Sequence, residues 1–237
     1  MTDSFVSRLD RLELEKLSED TGLVNALNLV RFSSAVRYRW YGMLLSPLVL
    51  MRGGRPLFVG THEKSLAGEK NFDELVIIQY PSLRTFTGIL TGRYYSLLNR
   101  IREKGVRYFE FSFTRPFRES SELWKKGFRL VIQFNYHEEV FGTILDKITN
   151  ILGKFSVIQL YASRKIGDIP FKGAAEPSDP NSSRFQGMAI FSILEDDLEG
   201  FIIEKDTIIV NLEAVTTELA IDIYRSLGVW ESMPWSK

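Results

Sequence analysis

From residue 23 to residue 115 the apolar residues switch between a period of two and a period near 3.6 in a fixed order. That order constrains the fold more than any other feature of the chain. Residues 23–33, LVNALNLVRFS, predict a strand, and residues 34–51 predict a helix. Gly53-Gly54 stops that helix, because glycine takes positive φ at no steric cost. Arg55 to Lys64 and Glu74 to Tyr80 predict two more strands, the second an apolar run rich in β-branched residues. Ser82 is placed to cap a helix that runs to about Lys104, with Gly92 a weak point inside it and Gly105 its stop. Arg107 to Thr114 predicts a fourth strand. The order is strand, helix, strand, strand, helix, strand, which is the split βαβ unit.

Past this unit the pattern starts again. Residues 116–127 are polar, with Pro116 and Gly127, and read as a linker. Phe128 to Tyr136 predicts a strand, Glu138 to Leu152 an amphipathic helix stopped by Gly153, and Phe155 to Lys165 a strand. Residues 167–187, rich in Pro, Gly, Ser and Asp, read as a long loop, a class that is often functional. Gly187 to Leu194 and Asp206 to Leu212 predict strands, and Thr216 to Leu227 a helix with Gly228 after it. No strand is expected after that helix. The expected class is α+β, with two ferredoxin-like halves at residues 23–115 and 128–237. Residues 1–22 add a helical extension over 3–17, and the tail VWESMPWSK docks on the body.

Strand alternation sorts the faces. Phe109, Phe111 and Phe113 share one face, and Tyr108, Glu110 and Ser112 the other. Leu130, Ile132, Phe134 and Tyr136 oppose Arg129, Val131, Gln133, Asn135 and His137; Ile158, Leu160 and Ala162 oppose Gln159, Tyr161 and Ser163. The apolar sets belong under helices. The mixed sets suit a cavity or a sheet–sheet interface, and two sheets packed with those faces together would enclose such a space.

Composition removes whole classes of chemistry. With no Cys, thiolate nucleophiles, thiolate metal sites and disulfides are excluded, and two His cannot build a multi-histidine centre. Thirty basic residues against thirty acidic ones leave no net charge, so no nucleic-acid partner is expected. The charge is uneven, however: Arg84 to Arg129 is basic and Met188 onward is acidic, which suits pairing between halves or between chains. The N-terminus carries charges throughout and lacks the apolar core of a signal peptide. The longest apolar run, near Tyr41 to Met51, is too short to span a bilayer. A cytoplasmic chain without a membrane partner is the expectation.

Residues 53–102 carry a family pattern: Gly53-Gly54-Arg55, Leu57, Gly60, Leu66, Gly68, Phe72-Asp73, the strand Leu75-Val76-Ile77-Ile78, Tyr80-Pro81-Ser82, Tyr95 and Arg102. Over roughly residues 23–115 the chain resembles an uncharacterised bacterial domain-of-unknown-function family of the dimeric α+β barrel superfamily. The resemblance implies that the second half supplies, within one chain, the partner sheet that the family obtains by dimerising. That half lacks the signature residues. The wider superfamily includes cofactor-free monooxygenases, isomerases, haem-handling enzymes and ligand sensors, and the fold does not select among them.

The candidate ligand-binding residues each have a structural alternative. Arg31 and Arg102 can fork onto a carboxylate or sit in ordinary ion pairs. Tyr41, Tyr80 and Tyr95 can donate to a ligand oxygen or be satisfied core tyrosines. Ser82 can face an anion or simply cap its helix. Gly53-Gly54-Arg55 can cradle an anion or only turn the chain. Tyr108, Glu110, Asn135, His137 and Tyr161 form the mixed-face set. His62 and His137 are the side chains that ordinarily titrate near neutral pH. Two functions remain open. One is a small partly apolar molecule held in the barrel cavity, with cofactor-free catalysis as its extension; the other is a non-catalytic interaction or assembly module, including a homo-oligomer. No cofactor is expected, and haem handling is a third, weaker option.

Overall fold

Eight antiparallel strands close into a barrel in the order β1-β3-β2-β8-β5-β7-β6-β4. The computed structural model describes residues 10–17, 19–68, 72–137, 140–167 and 185–227. In chain order the elements are α1 (Arg11–Leu17), β1 (Val24–Phe32), α2 (Ala35–Met51), β2 (Arg55–Ala67), β3 (Glu74–Tyr80), α3 (Leu83–Leu90), α4 (Arg93–Gly105) and β4 (Val106–Glu119). There follow β5 (Gly127–Asn135), α5 (Phe141–Leu152), β6 (Ile158–Gly167), β7 (Gly187–Ile193), α6 (Glu195–Ile203), α7 (Lys205–Glu213) and β8 (Glu218–Ser226). The first four strands lie in the order β4-β1-β3-β2 and the last four as β8-β5-β7-β6. Two seams join them, β2 with β8 and β4 with β6.

Alternation places the apolar sets under the helices, as expected. Val24, Ala26 and Val30 of β1 and the three β4 phenylalanines pack with α2, α3 and α4. Leu130, Ile132 and Phe134 of β5 pack with α5, α6 and α7. The opposite faces meet inside the barrel, where Leu27, Leu75, Ile77, Val131, Tyr161 and Tyr224 form a third buried cluster. The barrel axis is therefore filled by side chains, which corrects the expectation of a space between the mixed faces. Leu160 joins Tyr161 in that cluster, because β6 slips its register between Gln159 and Tyr161.

Three assignments differ from the sequence reading. Residues 116–119 are not linker: β4 continues through them and pairs with β6, with a register shift between Pro116 and Arg118, and only residues 120–126 turn. Residues 206–212 form helix α7 rather than a strand, since Ile208 and Leu212, four apart, both bury. Residues 218–226 form strand β8 rather than a helix, with Leu219, Ile221 and Ile223 on the helix side and Ala220, Asp222 and Tyr224 on the other. The predicted helix 82–104 also divides at Thr91-Gly92. The first residues of the N-terminal helix, the loop at 168–184 and the Trp-rich tail lie outside the described residues. No helix of the described residues is long and apolar enough to cross a membrane.

Candidate functional site

Helix α2 positions the site. Ser34 caps its start by accepting from the Arg37 N–H, and Gly53, at φ 74°, turns the chain at its end. Tyr38, Tyr41, Leu45 and Val49, three or four residues apart, bury one stripe against the sheet. The neighbouring flank carries Arg39, Gly42 and Ser46. Between that flank and the helix-facing side of β1 and β3 lies a cavity of about 610 Å³. That volume is within the range of sites for small molecules.

The floor is Ala26, Val76 and Ile78, and the back wall is Phe86 and Phe111. Arg55, Glu119 and Trp124 stand among the lining residues contributed from outside the helix layer. Arg55 and Gln79 both donate to the Glu119 carboxylate, and Arg55 Nε also donates to Gln79 Oε1 at 2.8 Å, so this group satisfies itself.

Deeper in, the polar groups gather. Tyr38, Tyr41, Tyr80 and Tyr95 are all buried and all line the cavity. Burial pushes the hydroxyls of Tyr38, Tyr41 and Tyr80 well up, so they stay protonated and can donate. Arg102 on α4 is buried; its Nε donates to Asn99 Oδ1 at 2.9 Å and its guanidinium lies 4.8 Å from the centre of the Phe109 ring. Glu74 opens β3 and is only 3% exposed. Loss of hydration raises its carboxyl to about 7; Arg39 opposes the rise and Asp73 adds to it. Arg39 Nε is closed off from solvent with no hydrogen-bond partner.

The structure gathers four of the sequence candidates here: Tyr41, Tyr80, Tyr95 and Arg102. The others lie elsewhere. Ser82 caps α3, accepting from the Thr85 N–H at 3.2 Å. Arg31 is exposed at the end of β1. Tyr108 stacks on Phe72 and donates to Glu110 Oε1 at 3.2 Å, on the other face of the sheet. Tyr161 lies in the barrel cluster and accepts from Asn25 Nδ2 at 2.8 Å. Asn135 donates to Glu218 and accepts from the Gln186 N–H, tying strand ends together. His137 is exposed in a separate depression with Arg115, Arg164 and Lys165. The mixed-face set is therefore dispersed.

His62 sits at the β2–β8 seam. Its Nε2 lies 3.0 Å from Ser65 Oγ and 3.3 Å from Asp222 Oδ1, and Ser65 Oγ donates to Asp222 at 2.6 Å. One ring nitrogen faces both partners, so the imidazole does not bridge Ser and Asp as a nucleophile relay requires. Neither histidine lines the cavity beside α2, which therefore does not fit a haem held by histidine. No group of three His, Cys, Asp or Glu among the described residues is arranged to hold a metal ion.

Sequence reasoning missed Arg39, Gly42 and Glu74. Glu74 was legible by parity, since it shares a strand face with Tyr80. It reads instead as the polar boundary of an apolar strand.

No protein-family model and no curated protein matches the chain. Among solved structures it is similar to a protein of unknown function from Rhodopseudomonas palustris, at 23% identity over 46% of this chain and 95% of that one, with a TM-score of 0.43. It is similar to a mutant chlorite dismutase from Candidatus Nitrospira defluvii, at 10% identity over 90% of this chain and 95% of that one, with a TM-score of 0.48. It is also similar to a haem-binding protein from Thermus thermophilus, at 12% identity over 86% of this chain and 91% of that one, with a TM-score of 0.41. Likeness at this level says nothing of what this chain binds or does.

Proposed function

We propose that this chain binds a small, mostly apolar molecule in the cavity between α2 and the sheet of its first half. The observation that carries the reading is the cavity itself: about 610 Å³ left unfilled beside an otherwise packed helix layer, with protonated tyrosines and a buried carboxyl on its walls. Apolar walls supply affinity, and a few fixed polar groups supply orientation. Glu74, titrating near neutral pH, gives the site a group able to take or release a proton, so turnover without a cofactor is the finer form of this reading. In the same reading the two halves are ferredoxin-like units that form an intrachain counterpart of a dimeric barrel, and only the first keeps a site. The test is native mass spectrometry of the chain purified from its own host, joined to titration with an apolar environment-sensitive dye. A bound small molecule or saturable dye uptake is expected. A clean apo mass together with no saturable uptake refutes the reading.

A second reading, an assembly module, is favoured by the outer side of α2. Val36, Trp40, Leu50 and Met51 are exposed there, flanked by exposed Arg37 and Arg52. The fitting partner is a second copy of this chain, docked through its acidic α6 face at Glu195, Asp196 and Glu199. Sedimentation at low and high salt tests it: association that weakens with salt is expected, and a monomer at all salt concentrations refutes it.

A further inference from the structure

The charged groups around the cavity do not balance. Arg55 and Glu119 satisfy each other through Gln79. Arg102, Arg39 and the Glu74 carboxyl also line the cavity, and Arg39 is the cation whose charge acts on Glu74. Arg102 is engaged by Asn99 and by the Phe109 ring. Arg39 acts on Glu74 through its charge, but its Nε is buried without a hydrogen-bond partner. The Glu74 side chain, though buried, has no hydrogen bond or ion pair among the described residues, Arg39 included. A donor closed off from water and an unpaired carboxyl, side by side on one cavity wall, each lack what a ligand could bring.

Resting on the cavity reading above, we propose that the ligand is an apolar molecule ending in one carboxylate, which Arg39 binds and a protonated Glu74 donates to.

Three physical points select this class. A cationic side chain whose buried Nε lacks a partner calls for an anion in a low-dielectric site. A guanidinium offers paired N–H donors whose spacing matches a carboxylate. The anion must also sit beside Glu74, and a singly charged head is repelled less than a dianion. The groups facing Glu74 are Arg39 and Tyr38 from α2 and Asp73 from its own strand entry; Arg102 from α4 acts on Tyr38 rather than on Glu74. Asp73 is held in place by the Phe32 N–H at 2.6 Å. Burial already puts the Glu74 carboxyl at about 7, and an incoming anion raises it further. Above neutral pH, therefore, each carboxylate bound brings one proton onto Glu74, and affinity falls as pH rises.

Calorimetric titration with dodecanoate and with dodecanol, in buffers of different ionisation enthalpy, tests this on the whole chain. Dodecanoate should bind about tenfold or more tighter than the alcohol, from the strength of charge-assisted hydrogen bonds. Proton uptake should approach one per dodecanoate at pH 8 and fall towards zero at pH 6. Glu74→Gln should keep the carboxylate preference, because its amide donates permanently, and should lose the proton uptake. Arg39→Met should lose the preference while still binding dodecanol. Equal affinities for acid and alcohol overturn the ligand class and leave the cavity reading standing, as does dodecanoate binding without proton uptake at pH 8. Failure of both probes to bind overturns the class and the cavity reading together. The proton count is read on the unaltered chain, so a variant that misfolds does not remove the test.

Discussion

Gly42 is the point at which the cavity can be closed without touching the groups on its walls. It lies in the middle of α2 and lines the cavity, and a Cβ added there meets no atom within 4 Å. A glycine inside a helix costs about 0.8–1 kcal/mol relative to alanine. Gly42→Ala should therefore stabilise the chain by about 1 kcal/mol, or roughly 2–4 °C in Tm for a chain of this size. One methyl in about 610 Å³ should leave binding of an apolar dye within about twofold of the natural chain. Gly42→Leu should be at least as stable as Gly42→Ala, because its extra carbons find apolar walls, each buried methylene contributing about 0.8 kcal/mol at most. Its side chain occupies ligand space, so dye affinity should fall about tenfold or more, the scale of a few kcal/mol of lost packing. Urea melts and dye titration on the same samples read both effects. Stability and binding moving in opposite directions is an outcome that general damage to the fold cannot produce. A stable Gly42→Leu variant with unchanged dye affinity refutes the cavity as the binding site, and loss of stability in Gly42→Ala refutes the open flank.

Glu74 should leave a mark on stability as well. Its carboxyl stands at about 7 in the folded chain against an ordinary 4.5, so between those values the folded state holds a proton that the unfolded state has released. Stability contributed by this group is therefore lost as pH rises through that window and does not return above it, by on the order of 3 kcal/mol. Urea midpoints at pH 5 and pH 8 should converge for Glu74→Gln relative to the natural chain; identical pH dependence in both refutes the assignment. Tyr161→Phe leaves Asn25 Nδ2 without its 2.8 Å acceptor and should cost about 1–2 kcal/mol in urea melts with dye binding unchanged. Gly53→Ala forces a side chain into φ 74° with Pro81 Cγ 3.1 Å from the new Cβ, and should cost about 1–2 kcal/mol by the same assay.

The first half was legible because period and punctuation agree there. Gly53-Gly54, Pro81-Ser82 and Gly105 fall where the structure ends one element and begins the next. The second half was less so. Thr207, Ile208, Ile209 and Val210 favour a strand by local propensity, yet burial of Ile208 and Leu212 across one helical turn settles them as α7. The true last strand hid behind a helix-like Thr216 start and a following Gly228. The long β4 was cut short because Pro116 and the charged Arg115, Arg118 and Glu119 interrupt the apolar pattern, although the segment pairs across the seam with β6. Alternation sorted the faces well and mislocated the space. A void depends on how far α2 stands from β1 and β3, and no local pattern carries that distance. Tyr41, Tyr80, Tyr95 and Arg102, named from the sequence, line the cavity beside α2, whereas Arg39 and Glu74 look ordinary in sequence and stand out only once the fold brings them to the same cavity.

The two halves share a strand order, yet their helix layers are built differently, and this fixes how many ligands a chain can hold. In the second half α5 buries Phe141, Ile144, Leu145, Ile148 and Leu152 against the sheet. These meet Phe134, Ala189 and Phe191, all fully buried, and Phe201 from α6. Branched aliphatic and aromatic side chains form one continuous buried cluster there. In the first half the corresponding layer presents Tyr38, Tyr41 and Tyr95, together with Gly42 and Ser46 on the open flank of α2. Tyrosines are long and rigid, and each must keep its hydroxyl near a partner, so they hold a space open where leucines would close it. Ligand uptake should therefore saturate at one dye molecule per chain by equilibrium dialysis, and filling the flank with Gly42→Leu should remove that one. Saturation at two, with one remaining in Gly42→Leu, would place a second site on the other half and refute the asymmetry.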